Sequence, residues 1–317
     1  MTGDAPLAHR LVFVGHTSID KVENVHGVRV QPGGAALYAA MAARTLSTNV
    51  TLVSAVGRDY QFPEVLKKIG DRHVKMYNMA STRFHIKYND RWEARYVKAS
   101  WGANPKVSSV AGLVKEFEPN AIVHVSPMKP AKVARILKEI TDVSPRAKVS
   151  INTWIGYLKE GQKNRGVLRR LASMADFFIL NDSEAKVLTQ TDSISTALRL
   201  LDAKMLVVTL GQLGAIISEK NRGMQMVPAL NIPVEKVVDT TGAGDAWCGA
   251  FLATYDLTED LMKSISVASI ISSIKCSGWG FDNLINLRFK KPDDVIDYVI
   301  GLKEGSFQKS LTDYTGK

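Results

Sequence analysis

The sequence predicts an α/β fold: a largely parallel central sheet with helices on both faces, accompanied by a small β-sheet lid. Three observations point there. Short β-branched runs recur along the chain with helical patterns between most of them, which lays the strands side by side in parallel and covers both faces of the sheet. One segment, residues 83–101, breaks that alternation with a hairpin pattern. At 317 residues the chain is also long enough to bury a large core without covalent staples.

The elements follow in order. Leu11-Val12-Phe13-Val14-Gly15 is a β-branched and aromatic run stopped by glycine, the pattern of a buried strand. The polar stretch from Ser18 to Gln31 is able to add strands to the lid. After Pro32-Gly33-Gly34, the run Ala35 to Ala43 consists of helix formers small enough to lie close on a sheet. Val50 to Val56 reads as the next strand, turned by Gly57-Arg58-Asp59. Further strands are expected at Ala121 to Ser126, Lys148 to Asn152, Phe177 to Leu180, Met205 to Leu210 and Gly214 to Ser218. No solenoid-type repeat or low-complexity tract interrupts them. The expectation is one α/β domain over residues 1–317, its lid formed by about 18–31 and 83–101, with a tail that frays after Ser306.

The hairpin segment carries Phe84, Ile86 and Tyr88, then Asn89-Asp90-Arg91, then Trp92, Ala94 and Tyr96. A three-residue connection pairs Tyr88 with Trp92, Ile86 with Ala94 and Phe84 with Tyr96, all on one face; a two-residue turn would set them against charges. Such an apolar face has to cover something, either a cleft or the main sheet. Arg83, His85, Lys87 and Trp92 are within reach of a substrate, but solvated ribbon positions are the plainer reading.

Hydrophobic residues at 45% and charged residues at 23% are globular values and exclude a disordered or collagenous chain. No apolar run approaches the roughly 20 residues of a membrane span, and the start of the chain lacks the basic, apolar and small-residue regions of a signal peptide. A soluble cytoplasmic protein is expected. The formal charge of +10 favours anionic ligands such as nucleotides, yet the basic residues are scattered, so neither nucleic acid nor a membrane is read as a partner. Cys248 and Cys276 lack metal-type spacing and are read as free buried thiols.

The most informative stretch runs from Val237 to Phe251 and reads as strand, glycine turn, helix. Glycines leave no side chain between backbone and ligand, and a helix start offers unpaired N–H groups at the positive end of its dipole. Such a turn cradles anions. Asp245, directly after it, is placed to accept a proton from a hydroxyl that attacks a bound phosphoryl group. Taken alone, Gly-x-Gly-Asp reads equally as a shaped loop with a helix cap. The longer string Asp239-Thr240-Thr241-Gly242-Ala243-Gly244-Asp245-Ala246 is far more specific, and in it the chain resembles the ribokinase-like (PfkB) family of carbohydrate kinases. A Walker A motif, the other common phosphate loop, does not occur.

Other landmarks of that family stand in the same order. Asp20, in Ser18-Ile19-Asp20, matches a substrate-binding aspartate, and Gly33-Gly34 matches the glycine pair at the sugar site. Asn181 and Glu184 match the family's Asn-x-x-Glu, although Asn before Glu is also a helix-capping pattern. Thr209, Gly211 and Gly214 match the strand and turn beside the nucleotide, where a plain hairpin is the structural alternative. The helix from Ala268 to Lys275 and the run Ser277-Gly278-Trp279-Gly280 correspond to the adenine-side wall. Two departures stand out: Tyr38 occupies a position where many members carry Asn, and the strand near Asn152 lacks the family's Asp-Pro-Asn.

The resemblance implies a kinase that transfers a nucleotide's γ-phosphoryl group to a hydroxyl of a small sugar or polyol such as a hexose, pentose or inositol. The donor is ATP, with ADP as the open alternative, and Mg²⁺ is the metal. Gly242, Ala243 and Gly244 are then the anion cradle and Asp245 the base. Asn181, Glu184, Thr209, Gly211 and Gly214 face the nucleotide, with Glu184 reaching Mg²⁺ through water. Asp20, Gly33, Gly34 and Tyr38 join Asp245 on the substrate side. Family likeness also suggests K⁺ near Asp239, Thr241 and the loop 278–283. A nucleoside kinase of the same family is the alternative, because Tyr38 and an aromatic lid are able to stack on a base. From another class comes a non-catalytic sugar-binding or regulatory protein, which would not need Asp245 beside the glycines. A nucleic-acid binder would show a steep salt dependence. A lid edge left open or paired with a second copy makes the chain a monomer or a homodimer.

Overall fold

The computed structural model describes residues 9–107, 120–220, 223–229 and 237–304; the tail after Ser306 lies outside them. The first strands are β1 (Leu11–Val14), β2 (Ser18–Asn24), β3 (Gly27–Gly33), β4 (Val50–Gly57), β5 (Val74–Tyr77), β6 (Thr82–Tyr88) and β7 (Ala94–Ser100). Then follow β8 (Ile122–Val125), β9 (Lys148–Asn152), β10 (Phe177–Asn181), β11 (Met205–Thr209), β12 (Ala215–Glu219) and β13 (Gly223–Val227). Nine of them form one sheet in the order β13-β12-β11-β10-β9-β8-β1-β4-β5, parallel from β5 to β11 and antiparallel at the β12 and β13 edge.

Alternation along the strands divides the core in two. Leu11, Phe13, Leu52, Ile122, Ile179 and Val207 face α1 (Ala35–Arg44), α8 (Ala243–Thr258) and α9 (Leu261–Cys276). Val12, Val14, Val53, Val123, Ile151 and Val208 face the opposite layer. That layer contains α3 (Pro130–Val143), α5 (Gln162–Met174) and α6 (Asp182–Thr189). Strands buried on both faces explain the continuous apolar runs. The remaining helices are α2 (Pro63–Ile69), α4 (Ile155–Lys159), α7 (Ile194–Leu200) and α10 (Pro292–Glu304).

A second sheet, in the order β3-β2-β6-β7, stands apart from the first. Here the expected hairpin forms with a shifted register: Tyr88 pairs with Ala94 and Ile86 with Tyr96, and a bulge after His85 sets Phe84 opposite Ala99. The cause is local. Asn89 closes the loop, its N–H donating to the Glu93 carbonyl and its side-chain oxygen accepting from the Arg91 and Glu93 N–H groups. The loop is therefore 90–92, and Trp92, with φ of 60°, is its left-handed third residue rather than a strand partner. Shifting by two residues keeps the faces, so Phe84 and Ile86 still share one buried side. A further difference lies before the glycine turn: residues 237–240 form no strand, and the Val238 and Asp239 N–H groups donate to the Cys276 carbonyl at the end of α9.

The helices α1 and α8 approach closely where Gly249 faces Ala39. A Cβ on Gly249 would run into the Ala39 carbonyl oxygen. Gly166, exposed on α5, has nothing nearby. Gly→Ala substitutions at these two sites are therefore expected to act in opposite directions. Gly166→Ala gains up to ~1 kcal/mol of helix propensity. At Gly249 overpacking of about 2 kcal/mol outweighs that gain, and the thermal midpoint falls. Paired melting curves check both signs.

Candidate active site

The C-terminal ends of β1, β8, β9, β10 and β11 open into one cleft of about 290 Å³, the place where parallel α/β sheets bind ligands. The glycine loop before α8 forms one wall and the small sheet another.

The loop is held from behind by α9. Ser272 Oγ donates to the Ala243 carbonyl at 2.9 Å and Lys275 Nζ to the Asp239 carbonyl at 2.7 Å. A trans peptide sets C=O and the following N–H in opposite directions, so the amides of Gly244 and Thr240 are turned away from α9. Gly242 adopts φ of 73°, a left-handed conformation that glycine takes without strain. A Cβ there would also strike the Tyr38 ring. The Ala243 N–H is used internally, bonded to the Thr240 carbonyl at 3.1 Å. Among the described residues the Gly242 and Gly244 amides make no backbone bond outside regular elements, and both residues line the cleft.

Asp245 sits in the first turn of α8, half-buried, with Oδ1 accepting from Asn152 Nδ2 at 3.1 Å. Desolvation raises its pKa to about 6, against the opposing effect of the Asn152 bond. Across the cleft, Asp20 on β2 accepts from Ser18 Oγ at 2.7 Å and is pushed up to about 7 by burial. Gly33 explains itself here, because a Cβ would collide with the Asp20 carboxylate. Gly34, at φ 109°, has its own Cβ position blocked by the His16 carbonyl.

Asn181 and Glu184 form a reciprocal helix cap on α6: Asn181 Oδ1 accepts the Glu184 N–H at 2.8 Å, and Glu184 Oε2 accepts the Asn181 N–H at 3.1 Å. Both also line the cleft, as does Thr209. Burial raises the Glu184 carboxyl to about 8. Gly211 and Gly214 shape the turn between β11 and β12 and do not line the cleft. Neither does Gly33, which lies under Asp20. Tyr38 reaches the cleft only marginally: it is 1% exposed, stacks on Phe281 at 4.4 Å and supports Gly242.

Asp239 lies behind the loop rather than in the cleft. Its Oδ1 accepts the Thr241 N–H at 2.9 Å, and its Oδ2 accepts from Gln31 Nε2 and the Gly280 N–H. Burial would raise its pKa, but the Lys275 charge and the Gln31 and Thr241 bonds hold it below the usual range. The carboxyl oxygens of Glu184 and Asp245 give the cleft the hard donors that suit Mg²⁺. No group of three or more acidic, His or Cys side chains that could cage a metal occurs among the described residues. An ion that keeps its waters and phosphate ligands fits this donor set.

Several cleft residues escape a reading of motifs. Trp101, directly after β7, meets Trp154 and Tyr157 from the main body at 6.3 and 6.0 Å, and Tyr96 on β7 packs on Trp154 at 5.1 Å. His16 Nδ1, Asn152 Oδ1, Thr153 Oγ1 and Thr240 Oγ1 are buried without partners in residues that line the cleft. Burial lowers the His16 pKa to about 4, so its ring is neutral. One signal was available: Asn152-Thr153-Trp154 directly follows a strand expected to be parallel, at its C-terminal end. The small sheet's basic residues instead pair outside the cleft, Arg83 with Asp59 and His85 and Lys87 with Glu23, while Trp92 stacks on His26. Cys248 and Cys276 are free and buried. No helix among the described residues is long and apolar enough to cross a membrane.

Comparison with known proteins bears on most of the chain. The model of the pfkB family carbohydrate kinases matches residues 8–284. The cytidine kinase of Thermococcus kodakarensis is 28% identical over 277 residues, 85% of this chain and 97% of that protein. A ribokinase of Lactococcus lactis is 26% identical over 270 residues, covering 78% and 80%. Among solved structures, a nucleoside kinase of Burkholderia thailandensis in complex with inosine superimposes with a TM-score of 0.74 at 19% identity, covering 93% of this chain and 97% of that one. At that identity the likeness speaks to the fold.

The raised Glu184 carboxyl makes a stability prediction. A carboxyl whose pKa rises on folding contributes stability below its unfolded value, and that contribution is lost as pH rises through about 8. Glu184→Gln keeps the cap, since Gln serves at that position, and removes the charge. Its melting temperature is expected to exceed that of the parent by roughly 3 °C or more at pH 8, with a smaller gain at pH 5. Scans at both pH values check it.

Proposed function

The chain belongs to the pfkB family of carbohydrate kinases, and from that premise we propose that it transfers the γ-phosphoryl group of ATP to a ribose hydroxyl of a nucleoside. One observation carries this reading: Asp245, Gly242, Gly244, Asp20 and an aromatic wall line the same cleft. In this mechanism the Gly242 and Gly244 amides, at the positive end of α8, face the charge on the travelling phosphoryl group. Asp245 takes the proton of the attacking hydroxyl. Its pKa of about 6 leaves it ionised at neutral pH yet basic enough to accept a proton. Asp20 holds a second hydroxyl of the acceptor, and the unpaired atoms of His16, Asn152 and Thr153 are available for others. Glu184 and Asp245 would hold Mg²⁺ through its waters, and the bound ion would supply positive charge for the nucleotide phosphates.

The aromatic wall supports a nucleoside over a free sugar or polyol. Trp101, Trp154, Tyr157 and Tyr96 offer more flat apolar surface than a bare ring of hydroxyls uses, and base stacking on aromatics contributes roughly 1–3 kcal/mol. A hexose, pentose or inositol remains the second reading, favoured by the unpaired polar atoms, which suit hydroxyls with or without a base. A purely regulatory sugar binder has no use for a half-buried carboxylate with a raised pKa beside an anion loop. With Asp20 and Tyr96 on it and Trp101 directly after its last strand, the small sheet acts as a lid that excludes water from the phosphoryl group.

Two outcomes follow. Asp245→Asn is expected to lower kcat by about 10²–10⁴ while nucleotide binding, followed by calorimetry, is retained; in the parent, kcat/KM falls about tenfold per unit below pH 6 as the base is protonated. An unchanged kcat in this variant overturns the assignment. In a coupled screen of nucleosides, sugars and polyols, Trp154→Ala raises KM for a nucleoside about tenfold and leaves any slow turnover of free ribose unaffected, with Trp154→Phe restoring most of the loss. Turnover of a sugar or polyol without turnover of any nucleoside rejects the nucleoside reading and keeps the kinase.

A further inference from the structure

Behind the glycine loop, three sources of negative charge converge. They are the Asp239 carboxylate, the Asp239 carbonyl and the carbonyl end of α9, where Cys276 accepts two N–H groups from Val238 and Asp239. Such an oxygen-lined spot beside a helix C-terminus calls for a cation. It is filled from within the chain. Lys275, 1% exposed, places Nζ at 2.7 Å from the Asp239 carbonyl oxygen and 3.3 Å from Oδ2, with both side chains fully buried. The Tyr38 ring lies 5.4 Å away on another side, the distance of a cation–π contact.

We propose that the ammonium of Lys275 takes the place of a monovalent metal ion behind the anion loop, so that phosphoryl transfer by this chain does not require K⁺. K⁺ does not fit at Asp239, because Nζ already sits against the two oxygens it would need and Gln31, Thr241 and Gly280 use the remaining acceptor directions. Stability alone is a weak reason to keep such a pair, since apolar residues of similar volume often do as well. Geometry is the better reason. Fixing the Asp239 carbonyl toward α9 turns the next amide the opposite way, and the Asp239 carboxylate in turn holds the Thr241 amide. Lys275 is thus a positioning residue for the loop, tethered by its own backbone and present at full occupancy whatever the ionic composition.

The test compares the parent with Lys275→Ala, which vacates the space, in buffers containing K⁺, Na⁺ or only a bulky organic cation. Parent turnover and melting temperature are expected to agree within about twofold and ~1 °C across the three. Lys275→Ala is expected to lose about tenfold or more in kcat, with little change in KM for the nucleotide, and to gain both melting temperature and kcat specifically in K⁺. A parent that K⁺ activates manyfold overturns the proposal, as does a Lys275→Ala variant with parental kcat. Should that variant not fold, Lys275→Met combined with Asp239→Asn removes both charges together; lowered kcat supports the proposal and parental kcat rejects it. Kinetic readouts rest on the kinase reading above, whereas ion-dependent melting does not, so failure of one is distinguished from failure of the other.

Discussion

A loop that receives an anion through its backbone must turn carbonyls one way and amides the other, and it cannot do so from its own sequence. Glycine permits the conformation without choosing it. The choice comes from α9, where Ser272 and Lys275 bind the carbonyls of Ala243 and Asp239. Packing of α8 and α9 on one face of the central sheet is therefore a condition of the site's chemistry as well as of the fold. The tight seat of Gly249 against Ala39 belongs to the same condition, because it fixes α8, whose first turn carries Asp245, relative to α1 and the sheet.

Electrostatics sets the second constraint. Asp20, Glu184 and Asp245 are all raised by burial, to about 7, 8 and 6 respectively, and each raises the cost of ionising a neighbour. Beside these three, Asp239 is lowered, with the Lys275 charge the largest of the effects that lower it. The free chain thus keeps carboxyls at the cleft under tension while the carboxylate behind the loop is neutralised. That division has a functional logic. A group that must take a proton gains from an elevated pKa, whereas one that must hold a loop still gains from a permanent partner.

Much of this was legible in the sequence, for reasons that differ by element. Strands such as Leu11–Val14 and Met205–Thr209 declare themselves because a doubly buried parallel strand has no polar face to disguise it. The glycine string and its landmarks were readable because each keeps its chemistry within a few consecutive residues. Long-range features were not. Lys275 follows Ile270, Ile271 and Ile274 on a helix and looks like one solvated end of an apolar face; its burial depends on Asp239, far away in sequence. The aromatic wall likewise gathers Trp101, Trp154 and Tyr157 from separate segments. Tyr38 was legible as a departure from the family pattern, but its place under Gly242 was not. The hairpin register slipped because a single side chain, Asn89, sets the turn by bonding two amides, a local choice that strand periodicity does not encode.

Side-chain hydrogen bonds join the small sheet to the glycine loop on one side of the cleft. Gln31 on β3 donates to the same Asp239 oxygen that faces Lys275, Tyr88 on β6 accepts from Thr241, and Asn24 at the end of β2 donates to the Val238 carbonyl. A hydrogen bond to a charged group contributes roughly 1.5–3 kcal/mol and a neutral one about 1 kcal/mol, so lifting the sheet as a rigid lid would cost several kcal/mol at this hinge alone. Opening is easier at the other side, where the aromatic wall holds by stacking and Tyr96 is already partly exposed. On the proposed reading an acceptor enters between Tyr96 and Trp154, where ring contacts alone join the two parts, while hydrogen bonds tie the edge that aims the amides. In a phosphotransferase this asymmetry keeps the geometry that resists water and wrong attack in place before the acceptor arrives.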